Sequence, residues 1–542
     1  MAKATGGEAI VKSLLQHGID TIFALPGVQN DYFFNALFDE GEKVNVIHTR
    51  HEQGAAYMAL GAALSTGQVG AYSVVPGPGL LNTFAALSTA YSLNARVFCL
   101  TGQILSDRIG RGLGELHEIP DQFSMLQSLT KWSTRVSSPA QAPEAVSQAV
   151  KELYSGRPRP VGLECPPDVL AATAEVDLRP IEYEERRPPV DVDAVKQAAE
   201  ILGKAKHPII FVGSGAVEAA DAILELAETL QAPVVSASSG HGIVSSRHYL
   251  SMRQQAAYTY WEKTDAVLAI GTRMQRTLSG WGTDDQLKFI RIDIDAEEHR
   301  RGKRPDVSLL AHGEDILPLL VDSVAKYNRS RPSIRSELSE LNKEVRSRIA
   351  YLEPQLSFIN AIREELDDDG IFVGDMTQVG YVSRFAMPVY EPRTYLDPGY
   401  QGTLGWSLPT AIGAKVANPH KQVISVSGDG GFMFNVQELA TAVQHNINIV
   451  AILFNDSAFG NVRRMQKELH DNRLIASELQ NPDFVQLAAA FGAQGLRAGS
   501  ANELRRAIRR GFDADVPTLI EVAVEEMPNP SRIAWRMARI RG

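Results

Sequence analysis

Gly428-Asp429-Gly430 is followed, 26 and 27 positions after the aspartate, by Asn455-Asp456. An apolar run over residues 422–427 leads into the first element, and another over 447–454 leads into the second. A helix-like run, 435–445, lies between them. This pattern predicts a strand–loop–helix–strand unit with acidic or amide side chains at both strand ends. Ligands of open parallel sheets bind beyond the carboxyl ends of the strands. Oxygen donors placed there suit magnesium, which usually holds a phosphate as well. The glycines around Asp429 let backbone N–H groups approach that phosphate closely. Gly-Asp-Gly alone reads most simply as a strand-ending turn, so the spaced pair carries the argument.

The elements that must position these residues alternate throughout the chain. Apolar strand-like runs at 21–25, 70–75, 96–100 and 161–164 alternate with helical periodicity, the pattern of parallel α/β domains. A Glu-Glu-Arg-Arg-Pro-Pro shift within 182–189 reads as a linker, and strands at 208–212, 232–236, 266–270 and 289–294 form a second unit. A charged, helical stretch at 328–348 leads into a third unit, running from near Leu356 to near Val524. The expected domains are 1–180, 190–330 and 350–542. The tail, with Arg532, Arg536, Arg539 and Arg541, reads as a surface segment or flap.

The 542 residues suffice for about three to four domains. With 44% hydrophobic and 22% charged residues, the composition is that of a soluble globular protein. A net charge of −10 argues against a nucleic-acid partner, and no run of about 18 apolar residues predicts a membrane span. The first residues lack the apolar stretch of a signal peptide. Cys99 and Cys165 stand in apolar strand-like contexts, which points to buried free thiols in a cytoplasmic protein.

The spaced pair resembles the cofactor motif of the thiamine-diphosphate enzymes, the family of acetolactate synthase, pyruvate decarboxylase, benzaldehyde lyase and oxalyl-CoA decarboxylase. The resemblance spans nearly the whole chain. It implies an α/β fold of three parallel-sheet domains: pyrimidine-binding, central and diphosphate-binding. It also implies thiamine diphosphate and Mg2+ as cofactors, and a dimer or tetramer in which each site takes residues from two subunits. The family's second element is usually Asn-Asn. Here it is Asn455-Asp456, so the resemblance assigns the metal to Asp429, Asp456 and Ala458, and the diphosphate to Gly428, Asp429, Gly430, Gly431 and Asp456.

Thr49-Arg50-His51-Glu52-Gln53-Gly54-Ala55 follows a strand at 44–48 and opens a small-residue helix, 55–64. Alone, a carboxylate in a helix's first turn is ordinary dipole placement. The string resembles the family's catalytic-glutamate motif, which makes Glu52 the group that hydrogen-bonds the cofactor's pyrimidine and promotes loss of the thiazolium C2 proton. Pro26-Gly27 and Pro76-Gly77-Pro78-Gly79 with Asn82 resemble segments beside the pyrimidine. Gly402-Thr403-Leu404-Gly405 resembles the segment supporting the bent cofactor: Leu404 would be the apolar wedge, and the Gly402 carbonyl would accept from the amino group. Asp375-Met376-Thr377-Gln378 resembles the loop before the diphosphate, with Gln378 touching phosphate.

The substrate side is less fully specified. Gly114 to Gln122 resembles the region where relatives place substrate-facing residues, which puts His117 near C2, where an imidazole can shuttle protons at neutral pH. The adjacent histidine pair of pyruvate decarboxylase is absent, because Glu118 follows His117. Asn461, Val462 and Met465 occupy positions that shape the acceptor pocket. Arg463 and Arg464 could bind a carboxylate or a CoA phosphate, or form a solvated helix face. In the central unit, Gly213-Ser214-Gly215 lacks a third glycine at Glu218, so bound FAD is not expected. The resemblance implies a small-molecule enzyme, an acetolactate-synthase-like 2-oxo acid decarboxylase/carboligase acting through a C2 ylide and an enamine. The runner-up is a 2-hydroxyacyl-CoA or benzaldehyde-type carbon–carbon lyase. A catalytically silent regulatory paralogue ranks last, since Glu52 and Asp429 are both present.

Overall fold

The computed structural model describes residues 2–181, 187–531 and 538–541. Residues 182–186 of the expected linker, and Arg532 and Arg536 of the tail, lie outside the described residues. Three six-stranded sheets, each wholly parallel, follow one another along the chain. The first has the spatial order Asn45–His48, Thr21–Ala24, Gly70–Val74, Val97–Gly102, Val161–Cys165, Trp132–Arg135. The third runs Tyr395–Leu396, Ile371–Gly374, Val423–Gly428, Val450–Asn455, Thr518–Ala523, Gln494–Ala498. Numbered by appearance within each sheet, both read 2-1-3-4-6-5, so the outer units share one topology. The central sheet, from Ser251–Met252 at one edge to Val307–Leu310 at the other, reads 3-2-1-4-5-6, the doubly wound order of dinucleotide-binding folds.

In both outer sheets the order reverses between the first and third strands. Loops leaving those two strands diverge and open a crevice at their carboxyl ends. The Pro26–Asn30 and Pro76–Asn82 segments lie at this point in the first sheet, and Asp375–Gln378 and Asp429 lie there in the third. The predicted motifs therefore fall at matching places in two copies of one topology.

Helix Glu52–Thr66 is built of small and apolar residues and is buried along nearly its whole length. A helix apolar on all sides belongs between layers rather than on a surface. It packs on helix Ser407–Ala417, which occupies the same place in the third sheet's topology. A side chain at Gly61 would begin 2.0 Å from the Thr410 carbonyl oxygen, and one at Gly413 would begin 1.9 Å from that of Met58. One continuous apolar core joins the outer sheets across this pair, from Tyr72 and Val74 to Val373 and Leu453.

The structure shifts several expected boundaries. The run read as a helix at 435–445 is divided. Asp429–Phe432 forms a short helix, Asn435 turns inward to donate to the Gly405 carbonyl, and the next helix is Glu438–Gln444. The charged bridge at 328–348 is helical only over Arg335–Ile349. Tail residues 538–541 are fastened to the central unit, where the Ile540 and Arg541 N–H groups donate to the Trp281 carbonyl. Cys99 and Cys165 are buried and unpaired. Among the described residues no helix is long and apolar enough to cross a membrane.

Replacing an interior helical glycine by alanine ordinarily stabilises by about 1 kcal/mol. At Gly61 the new methyl meets a backbone oxygen, and overpacking of this kind costs about 1–3 kcal/mol. Gly61→Ala is therefore expected to lower the midpoint of chemical denaturation. An unchanged or raised midpoint would contradict the close helix contact.

Candidate active site

Asp429 opens the short helix at the end of strand Val423–Gly428, and Asp456 immediately follows strand Val450–Asn455. Their carboxylates meet. Burial pushes Asp456 up to about 6, and the charge and hydrogen bond of Asp429 add to the rise. Burial raises Asp429 as well. The Ala458 N–H points at both carboxylates. Its strand-like bridge to Glu478 uses the Ser457 carbonyl and the Phe459 N–H, and leaves the Ala458 carbonyl out of the pairing. A side chain at Gly460 would begin 2.4 Å from Asp456 Oδ2, so the carboxylate packs directly on this glycine.

Asn455 and Asp456 point to different partners. Asn455 donates to Glu521 Oε1 at 2.8 Å and accepts from Asn481 Nδ2 at 2.9 Å. Asn481 also donates to Asp429 Oδ2 at 2.6 Å. Gln378, expected on phosphate, donates to Asp456 Oδ2 at 3.0 Å, and its own oxygen accepts from Arg464 and from the Met527 N–H. Arg464 is buried and donates to the Met527 carbonyl too, so it is committed inside the protein. Arg463 lies 3.6 Å from Glu478.

The loop carrying Gly402 and Leu404 is tied to the same strand ends. Asp375 accepts from the Gly405 N–H at 3.0 Å and from Ser407 Oγ at 3.2 Å, and burial pushes it up to about 6. Gly402 and Gly405 take left-handed φ values of 58° and 77°. Leu404 is half-buried beside Gly431.

At the first sheet, Glu52 is the first residue of its helix, and the His51 ring caps that helix by accepting from the Gln53 N–H. Asn82 donates to Glu52 Oε2 at 3.0 Å, and a side chain at Gly79 would begin 3.7 Å from Oε1. Pro26, Pro78 and Asn82 are exposed, while Gly27 packs on Val75. Gly77 takes a φ of 59° against the His117 carbonyl, and its N–H donates to Gln122 Oε1 at 2.7 Å. Gln122 in turn donates to the fully buried Glu164, which Arg135 pairs. The structure thus brings Glu52, Gly79, Asn82, Gly77 and His117 together.

It also brings Gly428, Asp429, Gly430, Gly431, Ala458 and Asp456 together, with Leu404 adjoining. No hydrogen bond or ion pair among the described residues joins Glu52 to Asp429 or Asp456. Asn461, Val462 and Met465 lie on helix Gly460–Leu469, with Val462 51% and Met465 45% exposed.

Sequence reasoning missed Asn481 and Glu438, and named Asp375 only as part of its loop, without a role. Glu438 is fully buried at the start of its helix. It accepts from the Arg50 N–H at 3.3 Å and from Thr441 Oγ1 at 2.6 Å, and its Oε1 faces Gly54 with no hydrogen-bond partner. It therefore fixes the turn that carries Glu52 onto the third unit of the same chain. Burial pushes its carboxyl up to about 7. In the central unit, a side chain at Gly213 would meet the Gly271 carbonyl at 2.3 Å, so loop packing accounts for that glycine.

Two desolvated carboxylates form a donor set suited to a hard divalent cation. Among the described residues no cluster of three or more His, Cys, Asp or Glu side chains could hold a metal. A cation here would take its remaining oxygens from the main chain, water or a phosphate ligand.

The model of the thiamine pyrophosphate enzyme N-terminal TPP binding domain matches residues 4–125, that of the central domain 195–320, and that of the C-terminal TPP binding domain 375–522. The chain is 33% identical over 535 residues to the probable 2-ketoarginine decarboxylase AruI of Pseudomonas aeruginosa, covering 96% of this chain and 94% of the relative. It is 30% identical over 557 residues to an acetolactate synthase of Arthrospira platensis, with the same coverage of 96% and 94%. The large subunit of acetolactate synthase isozyme 1 of Escherichia coli is 29% identical over 534 residues, again covering 96% and 94%.

Glu438 binds its proton more tightly when folded than at its ordinary value of 4.5. Its contribution to stability is complete below that value and is lost as pH rises through about 7. Glu438→Gln is therefore expected to gain thermal stability relative to the parent as pH is raised from about 5 to about 8. Parallel melting curves across that range would contradict the burial assigned to this carboxyl.

Proposed function

The chain belongs to the thiamine pyrophosphate enzyme family, and from that premise we propose that it is a thiamine diphosphate- and magnesium-dependent, acetolactate-synthase-like 2-oxo acid decarboxylase/carboligase, with each site completed by a second copy of the chain. One observation carries this reading: Asp429 stands at the switch point of the third sheet, where its carboxylate meets that of Asp456 from the end of the neighbouring strand, and Glu52, at the start of its helix, lies against Gly79 and Asn82 at the switch point of the first. A relative named for decarboxylating 2-ketoarginine supports a 2-oxo acid as substrate class.

Asp429, Asp456 and the Ala458 carbonyl would hold the magnesium ion, and the backbone of Gly428, Gly430 and Gly431, beside Asp429, would carry the diphosphate. Gln378, which orients Asp456, would also face the phosphate. Pro26, Gly27, Pro78 and Asn82 would border the pyrimidine, and Leu404, standing beside Gly431, would be the apolar support for the bound cofactor. The Gly402 carbonyl, on a left-handed backbone, would accept from the amino group. Thiamine diphosphate, when bound, supplies the carbon nucleophile that adds to the 2-oxo acid and accepts the electron pair freed as carbon dioxide leaves. Glu52, oriented by Asn82, holds a proton at the pyrimidine nitrogen. His117 moves a proton at the substrate oxygen, and Asn461, Val462 and Met465 border the acceptor.

A second copy completes the site in this reading, since no hydrogen bond or ion pair among the described residues joins Glu52 to the Asp429–Asp456 pair. The apolar rims support this. Val28 (67% exposed) and Leu116 (61%) flank the Glu52 side, and Tyr400 (56%) and Phe434 (52%) flank the metal side. Large exposed apolar patches mark association surfaces.

Glu52→Gln is expected to keep the fold while slowing exchange of the bound cofactor's C2 proton by ~10²–10⁴-fold. An unchanged exchange rate by NMR would contradict its role. In calorimetric titration, Asp429→Ala is expected to abolish magnesium-dependent cofactor binding and Asp456→Asn to retain it. Loss of binding in Asp456→Asn with an intact fold would contradict the metal assignment. The purified protein is expected to be colourless and to release carbon dioxide from 2-oxo acids with thiamine diphosphate and magnesium alone. A stoichiometric flavin band, or aldehyde release from acyloins without decarboxylation, would overturn this reading.

A further inference from the structure

We propose that Gln29 is a positioning residue that holds His117 in its Nδ1–H tautomer, so that Nε2 is the proton-accepting atom His117 offers to the reaction. The proposal rests on the reading above that His117 serves the reacting centre.

The assignment follows from hydrogen-bond bookkeeping. Gln29 is 6% exposed, in the turn Val28–Asn30 that follows the first strand. That turn is anchored by its neighbour Asn30, whose side chain donates to the Val74 carbonyl at 2.8 Å and whose N–H donates to the Gly27 carbonyl. Gln29 Nε2 donates to the Leu116 carbonyl at 3.0 Å. A carbonyl can only accept, so the amide cannot be turned around without setting two oxygens against each other. Gln29 Oε1 therefore faces His117 Nδ1, at 3.1 Å. An amide oxygen is also only an acceptor, so Nδ1 must carry the hydrogen. In a neutral imidazole the other nitrogen is then a lone-pair acceptor. Among the described residues Nε2 has no hydrogen-bond partner.

The backbone supports a built rather than incidental contact. His117 adopts a φ of 69°, an uncommon conformation for a residue other than glycine. Its carbonyl presses on Gly77, in the turn that adjoins Glu52. One amide side chain thus closes the loop ending at Leu116 onto the first strand's turn and sets the proton on the ring. The signal was invisible in sequence because the two partners are 88 positions apart.

The test uses the full-length enzyme with thiamine diphosphate and magnesium, labelled with ¹⁵N-histidine, the His117 resonances being identified by their loss in His117→Gln. Above the pH at which the ring loses its charge, the parent is expected to show a proton bonded to Nδ1 and a lone-pair Nε2. Gln29→Met, which keeps the shape but removes the amide, is expected to shift the ring toward the Nε2–H tautomer and to lower kcat by ~10-fold or more, the scale on which partners that orient an imidazole act. In the His117→Gln background, Gln29→Met is expected to cost little further. An Nε2–H tautomer in the parent, an unchanged tautomer in Gln29→Met, or an equal kcat loss in both backgrounds would overturn the proposal. Full activity of His117→Gln with the Nδ1–H tautomer present in the parent would overturn the reading of His117 itself, so the two failures are distinguishable.

Discussion

The contact between helices Glu52–Thr66 and Ser407–Ala417 fixes what every other part of the site can do. Glycines on each helix face a carbonyl on the other, at Gly61 against Thr410 and at Gly413 against Met58. The backbones approach too closely for a side chain between them, and a dense apolar interior gives such a contact little freedom to slide. Glu52 is the first residue of one of these helices, so its height relative to the third sheet is set by packing far from its carboxyl group. Glu438 adds a polar anchor at that end through the Arg50 N–H, and Thr89 and Thr403 hydroxyls, 2.7 Å apart, join the first unit to the Leu404 loop. The two outer units of one chain are thus packed together, and one such pair carries both Glu52 and the Asp429–Asp456 pair.

The charge problem at Asp429 and Asp456 is the second constraint. Like charges brought together out of water disfavour each other's ionisation, and a cation between them reverses that cost. Asp456 stands where the family usually has asparagine. The structure shows how the added charge is accommodated: Gln378 donates to Asp456 and is itself held by the buried Arg464, while Asn481 donates to Asp429.

Much of this was legible in the chain, because strand alternation, glycine turns and the spaced acidic pair are local signals. The parallel sheets followed from alternation of apolar runs with helical periodicity, and the strand-end position of Asp429, Asp456 and Glu52 followed from where those runs stop. Contacts between distant segments left no such mark. Asn481 reaches Asp429 across 52 positions, and Glu438 reaches Arg50 across 388. Gln378 shows the limit most clearly. Its hydrogen bond to Asp456 could not be read from the chain, since Asp456 lies 78 positions away, just past another strand. The division of the run at 435–445 had the same cause, a buried Asn435 drawn to the Gly405 carbonyl 30 positions back.

The central claim is that Glu52 of one copy and the Asp429–Asp456 pair of another serve the same cofactor. Co-expression of Glu52→Gln and Asp429→Ala chains, each inactive alone, tests it most directly. In a mixed dimer one site would combine both lesions and the other neither. If sites are shared, the purified mixture should recover about a quarter of parental activity, as expected for half the dimers carrying one intact site of two. No recovery in verified mixed dimers would contradict the account and place both groups in a site formed by a single chain.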